Sequence, residues 1–292
     1  AIIEKGKVNK LLKRNPTVAQ VKESVVNAQQ VIQDLQNARN SLVPDKTQLQ
    51  EAKNRLENSI NQQTDTDGMT QDSLNAYNDK LTKARQNLEK ITQVLNGQPT
   101  VAEIRQNTSE ANSHTQALDT ARSQLTLNRE PYINHINNES HLNNAQKDNF
   151  KAQVNSAPNH NALETIKNKA DTLNQSMTAL SESIADYENQ KQQENYLDAS
   201  NNKRQDYDNA VNAAKGILNQ TQSPTMSVDV INQKAEEVKR TKDALDGNHR
   251  LEEAKQLAIA HLNTLNDLND AQRQALTDTI NHSPNINSVN QA

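Results

Sequence analysis

Along this chain apolar residues return in steps of three and four, with polar side chains filling the gaps. Val18, Val21, Val25, Ala28, Ile32, Leu35 and Leu42 keep that frame, with Arg39 the one polar interruption. Leu74, Tyr77, Leu81, Ala84, Leu88, Ile91 and Leu95 keep it as well. So do Leu163, Ile166, Ala170, Leu173, Met177, Leu180, Ile184 and Tyr187. Such steps bring every named side chain back to one face of a helix. The pattern predicts helices near 2–13, 17–42, 45–62, 70–96, 100–126, 131–139, 142–156, 160–220, 226–246, 249–266 and 269–282. The stretch from Asn159 to Lys215 holds neither Gly nor Pro, so 160–220 is expected to be one helix shared by consecutive bundles. At ~1.5 Å per residue it would be roughly 90 Å long.

Prolines punctuate the helical stripes. Pro16, Pro99, Pro158, Pro224 and Pro284 each follow one stripe and precede the next, where proline cannot continue a helix but suits the start of another. The adjacent Thr17, Thr100, Thr225, Asn159 and Asn285 are candidate N-caps. "NPTVAQV" at Asn15–Val21 returns 83 residues later as "QPTVAEI" at Gln98–Ile104. A longer period of 126 residues relates "LNNAQKDNFKAQVNSAP", Leu142–Pro158, to "LNDAQRQALTDTINHSP", Leu268–Pro284. Fixed-register recurrence marks a tandem array. The expected fold is all-α: tandem three-helix bundles stacked end to end into an elongated rod with long shared helices.

Composition narrows the picture. Hydrophobic residues are 33% of the 292 and aromatics 2%, too few for one large core but enough for small bundles burying narrow stripes. Polar richness alone would fit disorder, and the sustained periodicity excludes it. Charge is nearly balanced at −4, which argues against nucleic acid or an anionic membrane as partner. No apolar run reaches the ~18–20 residues of a membrane span, so no membrane insertion is expected. The absence of cysteine fits both intracellular proteins and Gram-positive surface proteins. The start at Ala1-Ile2-Ile3 reads as an internal fragment.

Candidate chemistry is sparse. The five glycines do not cluster into a phosphate-cradling loop. His135 and His141 could form a weak metal pair, but they read as two solvated turn histidines. "DTDG", Asp65–Gly68, lacks the remaining oxygen ligands of a calcium loop and reads as a turn. Glu236-Glu237 and Glu252-Glu253 diverge by about 100° on a helix and read as solvated faces. Tyr77, Tyr187 and Tyr207 fall on core stripes; Tyr132 and Tyr196 could be exposed contact residues, with packing at helix boundaries the stronger reading. No catalytic residues, metal ligands or cofactor are expected, no enzyme activity is expected, and no ligand-binding residue is assigned.

The segments Leu251–Leu262 and Leu268–Asn290 resemble the GA module, a three-helix bundle first known from bacterial albumin-binding proteins. Leu88–Ala121 and Tyr207–Gly247 resemble the FIVAR module that alternates with it. The alternation is similar to that of the giant staphylococcal extracellular matrix-binding surface proteins of the Ebh/Embp type. The expected divisions are a partial GA-like module at 1–43, FIVAR-like at 44–125, GA-like at 126–187, FIVAR-like at 188–247 and partial GA-like at 248–292. The resemblance implies a cell-surface or cell-wall adhesin fragment of a Gram-positive bacterium, with fibronectin or another host matrix protein as partner. A structural spacer with no specific ligand is the alternative. Albumin binding is not expected: Leu268–Asp278, matching the family's contact helix, has no aromatic, and Phe150 in the earlier copy sits where Leu276 does, at a core position. A monomer is expected, because short proline-marked bundles favour intramolecular packing over a coiled-coil dimer.

Overall fold

A computed structural model describes residues 2–292, and among them every regular element is a helix. The chain divides into two compact units, 1–66 with 70–126 and 67–69 with 127–292.

The first unit holds α1 (Ile2–Leu12), α2 (Val18–Asn40), α3 (Thr47–Asn61), α4 (Gln71–Asn96) and α5 (Val101–Ser123). Helices α3, α4 and α5 form a three-helix bundle around Leu49, Leu56, Tyr77, Ala84, Ile91 and Leu118. Arg122 closes one end of this bundle. Its guanidinium donates to Thr64 Oγ1 (2.9 Å), to Asp119 (2.6 Å) and to the Ser59 carbonyl at the C-terminal end of α3. One side chain thereby satisfies a helix-end carbonyl and ties two helices to a loop.

The repeated "PTVA" corner is a helix start in both places. Thr17 with Gln20 and Thr100 with Glu103 each form a capping box, the side chains exchanging hydrogen bonds with each other's backbone N–H. Burial nevertheless differs between the copies. Ile104, Ala111 and Leu118 of α5 are buried between α3 and α4, whereas no residue of α1 or α2 is buried. Packing along α1, a helix of only 11 residues, leaves much of the α2 stripe exposed. Ile32 and Leu35, the latter 83 residues before Leu118, stand about half in solvent.

The second unit begins with α6 (Glu130–Asn138), α7 (Asn144–Ser156) and α8 (His160–Ile184), a three-helix bundle. The same α8 then packs against α11 (Asn201–Leu218) and α12 (Val228–Asp243). Leu163, Ile166, Ala170, Leu173, Met177 and Leu180 lie buried on one α8 face within a core continuous through both bundles. Gln146 of α7 is fully buried beside this shared helix. Its Oε1 accepts from the Asn143 N–H (3.0 Å), while its Nε2 donates to the Thr225 carbonyl (2.8 Å) in the segment before α12.

The expected single helix over 160–220 is instead broken after Ile184. Two short turns, α9 (Tyr187–Gln190) and α10 (Glu194–Leu197), precede α11. Three tyrosines account for the reversal. Tyr187 and Tyr196 fold onto Tyr207 edge to face, with ring centroids 5.5 and 6.4 Å away, and both donate to the Asp208 carboxylate. Burial, then the hydrogen bond to Asp208, raises the Tyr187 and Tyr196 phenols, so both stay protonated donors, and burial, then the Asp186 charge, pushes Tyr207 up to about 12. Between Glu188 and Lys203 there is too little apolar surface to hold a continuous helix against a neighbour. Sharing of a helix between bundles is present, but over the 25 residues of α8.

The reversal segment is also the platform for the last bundle, α13 (Gly247–Leu262), α14 (Asp270–Asn281) and α15 (Ile286–Gln291), whose core is Leu262, Ile280 and Val289. Helix α10 packs on α13. The Ser200 N–H and hydroxyl donate to the two Asp246 oxygens (2.7 and 2.8 Å), and the Ile286 N–H donates to Asp198 (2.8 Å). Gly247 is buried here in close approach to that segment, and any Cβ would drive into the Asn195 and Glu194 carbonyls, the latter at 2.7 Å. Four of the five proline-adjacent caps act as expected: Thr17, Thr100, Asn159 and Asn285. At the fifth corner α12 starts from Ser227, whose hydroxyl accepts from the Val230 N–H, while the backbone N–H and carbonyl of Thr225 bond Gln220 and Gln146.

Arg122→Ala is expected to destabilise the first unit by about 2–3 kcal/mol, through loss of its charge-assisted hydrogen bonds to Asp119, Thr64 and the Ser59 carbonyl. Thermal melts of the variant and its Arg122→Lys counterpart check this, Lys recovering only part because it lacks the fork of donors. Gly247→Ala should cost about 1–3 kcal/mol by overpacking against backbone. Gly216→Ala, in the last turn of α11 with open space around it, should instead stabilise by about 0.5–1 kcal/mol; equal effects of the two would refute the close approach. Burial pushes the Asp246 carboxyl up, but the Ser200 donors outweigh it and hold it below the usual range. A depressed folded-state pKa stabilises above the unfolded value of ~3.9 and that contribution disappears as pH falls through the folded value. The gap in melting temperature between wild type and Asp246→Asn should therefore be full at neutral pH and close in acid, as pH falls through the depressed folded-state value.

Candidate functional site

A dense polar constellation lies on the first bundle of the second unit, where two helical stripes face one another. On α6, Tyr132, His135 and the C-cap residue Glu139 follow steps of three and four. On α8, His160, Glu164, Lys167 and Asp171 follow steps of four, three and four. Helical periodicity thus lays a polar row beside the apolar one. Tyr132 donates to Glu164 in a short hydrogen bond and lies 3.3 Å from His160 Nδ1. His135 Nε2 contacts Asp171 Oδ1 closely and lies 3.0 Å from Glu139 Oε1. Lys167 Nζ donates to the other Asp171 oxygen at 2.9 Å.

The electrostatics sort these groups. Burial, then Glu164, pushes the Tyr132 phenol up to about 12, so it is a proton donor and not a nucleophile. Burial raises Glu139 despite the opposing pull of His135. Burial also pushes Asp171 up, but hydrogen bonds from Lys167 and His135 outweigh it and its pKa is lowered. A shallow groove of about 360 Å³ runs past Tyr132, His135, His160 and Glu164. Gly68 forms its edge with φ +68, so close that a Cβ would meet His160 Cγ at 2.8 Å. The arrangement can hold a cation or an ion-pair network; it pairs no nucleophile with a base.

The residues singled out in the sequence are placed as follows. His135 and His141 do not converge: His141 Nδ1 pairs with the neighbouring Ser140 hydroxyl (2.9 Å), while His135 turns to carboxylates. The reading of two solvated turn histidines therefore holds for exposed His141 and fails for half-buried His135. The i, i+4 pair His135–Glu139, not a His–His pair, is the signal in the sequence, and the 160–164–167–171 row is the sign of its partner face. Asp67 and Gly68 make the turn, and the following Met69 forms an isolated antiparallel bridge to Leu127. Glu236, Glu252 and Glu253 are exposed, and Glu237 is half-buried and paired with Lys234. All five tyrosines are buried, Tyr132 at 9% and Tyr196 at 8% exposure, as is Phe150 at 3%. Packing accounts for Tyr132 and Tyr196, and Phe150 is a core residue.

Comparison with known proteins agrees with this architecture. The FIVAR domain family matches residues 52–119 and 176–246, and the GA module family matches 122–176 and 248–292. Both families include part of α8, the helix that the two bundles share. The chain is 50% identical to the extracellular matrix-binding protein ebh of Staphylococcus aureus strain MRSA252, over 97% of this chain and 3% of that protein. The same identity and coverage of this chain relate it to extracellular matrix-binding protein EbhB of strain N315, of which it spans 9%. The chain is thus a small part of the length of the curated relatives it matches. Among solved structures, the crystal structure of EbhA (756-1003 domain) from Staphylococcus aureus superposes with a TM-score of 0.58 at 28% identity, covering 85% of this chain and 96% of that one. The chain belongs to the family of alternating FIVAR and GA module repeats that includes the staphylococcal extracellular matrix-binding proteins.

Proposed function

We propose that the chain is a non-enzymatic adhesive segment of a surface protein of a Gram-positive bacterium, binding host extracellular matrix protein, fibronectin foremost, through weak contacts repeated along its modules. The observation that carries the reading is the 50% identity over 97% of the chain to proteins named for extracellular matrix binding. The burial of every aromatic side chain agrees with weak individual contacts, because strong interfaces recruit exposed Tyr, Trp and Arg anchors. Linking such contacts multiplies them through effective concentration. The modules are taken as 1–43, 44–125, 126–187, 188–247 and 248–292, each acting as a monomeric unit. The same aromatic-poor surface favours a second reading, a spacer that extends other modules from the cell wall and has no ligand of its own.

Binding of the full chain to immobilised fibronectin at physiological salt, with serum albumin in parallel, separates the readings. The expected result is saturable fibronectin binding whose apparent affinity rises at least about tenfold from one to three tandem copies of the chain. Albumin should stay silent, since Phe150 is in the core and Leu268–Asp278 carries no aromatic. Silence toward fibronectin at every copy number would favour the spacer.

A further inference from the structure

We propose that His135, Glu139 and Asp171 form a binding site for a divalent transition ion of the zinc class, which clamps α6 to α8. This goes beyond adhesion and does not depend on it. His135 Nε2, a Glu139 oxygen and an Asp171 oxygen all lie within 4.8 Å of one another. Two of the ligands come from α6 and its C-cap at i, i+4 spacing and the third from the middle of α8, so an ion here crosslinks two helices of one bundle.

Proton bookkeeping points the same way. A neutral imidazole carries at most one Nε2–H and can donate it to one carboxylate, yet Nε2 faces two, Asp171 Oδ1 and Glu139 Oε1. A cation bound to the Nε2 lone pair satisfies both oxygens at once. Its double charge balances the two carboxylates. Lys167 holds the outer Asp171 oxygen at 2.9 Å, leaving Oδ1 directed inward, the role an outer partner plays for a ligating carboxylate. Ligands about 2.0–2.2 Å from a tetrahedral ion stand roughly 3.4 Å apart. The present cluster is tighter on its imidazole edges, so the ion requires a small opening of these partly buried side chains, and a fourth position stays open to water.

The donor set selects the class. One imidazole with two carboxylates and no thiolate suits Zn²⁺, Co²⁺ or Ni²⁺, whereas Ca²⁺ and Mg²⁺ require sets built of oxygen. The site belongs to one copy of the repeat. At the 126-residue shift His135 corresponds to His261, but Glu139 corresponds to Leu265.

Calorimetric titration of the full chain with ZnCl₂ in chelator-free buffer at neutral pH, alongside thermal melts, tests this. The expected result is one ion per chain at micromolar concentration and a raised melting temperature. His135→Gln and Asp171→Asn should each weaken uptake about tenfold or more, and His261→Gln should leave it unchanged. Cobalt substitution should give the visible absorption of a four-coordinate ion, abolished by His135→Gln. No uptake below about millimolar, uptake indifferent to both ligand substitutions, or equal uptake of Ca²⁺ would overturn the proposal. Should Asp171→Asn fail to fold in the absence of metal, His135→Gln, on the more exposed side chain, decides the matter.

Discussion

One apolar row on α8 underlies the arrangement of the second unit. Leu163 to Leu180 is a single face of a single helix, yet two bundles close upon it in succession. A helix cannot bend sharply between its two halves without breaking its hydrogen-bond ladder, so each bundle fixes the orientation of the other. Gln146 makes the junction specific. It completes a helix cap with one end of its amide and bonds the Thr225 carbonyl with the other, and it is fully buried while doing both. The corresponding Gln272 in the later copy makes the same capping box in solvent. Identical local chemistry is thus structural glue in one place and a simple helix start in the other, and tertiary context alone distinguishes them.

Helix existence and helix starts were legible in the sequence because both are local. The three–four stripes mark helical faces that can be buried, and proline followed by Thr or Asn marks where α2, α5, α8 and α15 begin. Termination was less legible. Nothing between Asn159 and Lys215 forbids helix, since no Gly or Pro occurs there. The chain leaves the helix because Tyr187 and Tyr196 gain more by converging on Tyr207 and Asp208 than by lying along a helix with no apolar neighbour. That gain exists only once α11 is folded back, so it is invisible to a periodicity argument. The α2 stripe shows the reverse limit: Val25, Ile32 and Leu35 repeat at core spacing but stay about half exposed, because periodicity reports the face a helix offers and not whether a neighbour covers it.

The polar cluster on α6 and α8 was partly legible for the same reason. His135 with Glu139 is a one-turn relation and can be read directly. Asp171 lies 36 residues from His135, and only the antiparallel return of the chain through α7 brings it near. Histidine spacing alone carries no sign of it, whereas mixed His–carboxylate rows at helical spacing mark both halves without pairing them.

Comparison of the two GA copies separates what the repeat requires from what it leaves free. Core positions exchange apolar for apolar: Phe150 with Leu276, Val154 with Ile280, Ile136 with Leu262. The cation that reaches back to the preceding helix end is kept in kind, Lys147 bonding the Asn137 carbonyl and Arg273 the Leu262 and Leu265 carbonyls. The faces that point away from the core follow no such rule, since exposed Asp148 is matched by Gln274 and exposed Asn149 by Ala275. Folding therefore constrains a narrow stripe per helix and leaves the remainder of each surface open to chemistry that differs from module to module. A tandem array built this way can repeat one architecture many times while presenting distinct contact surfaces along its length.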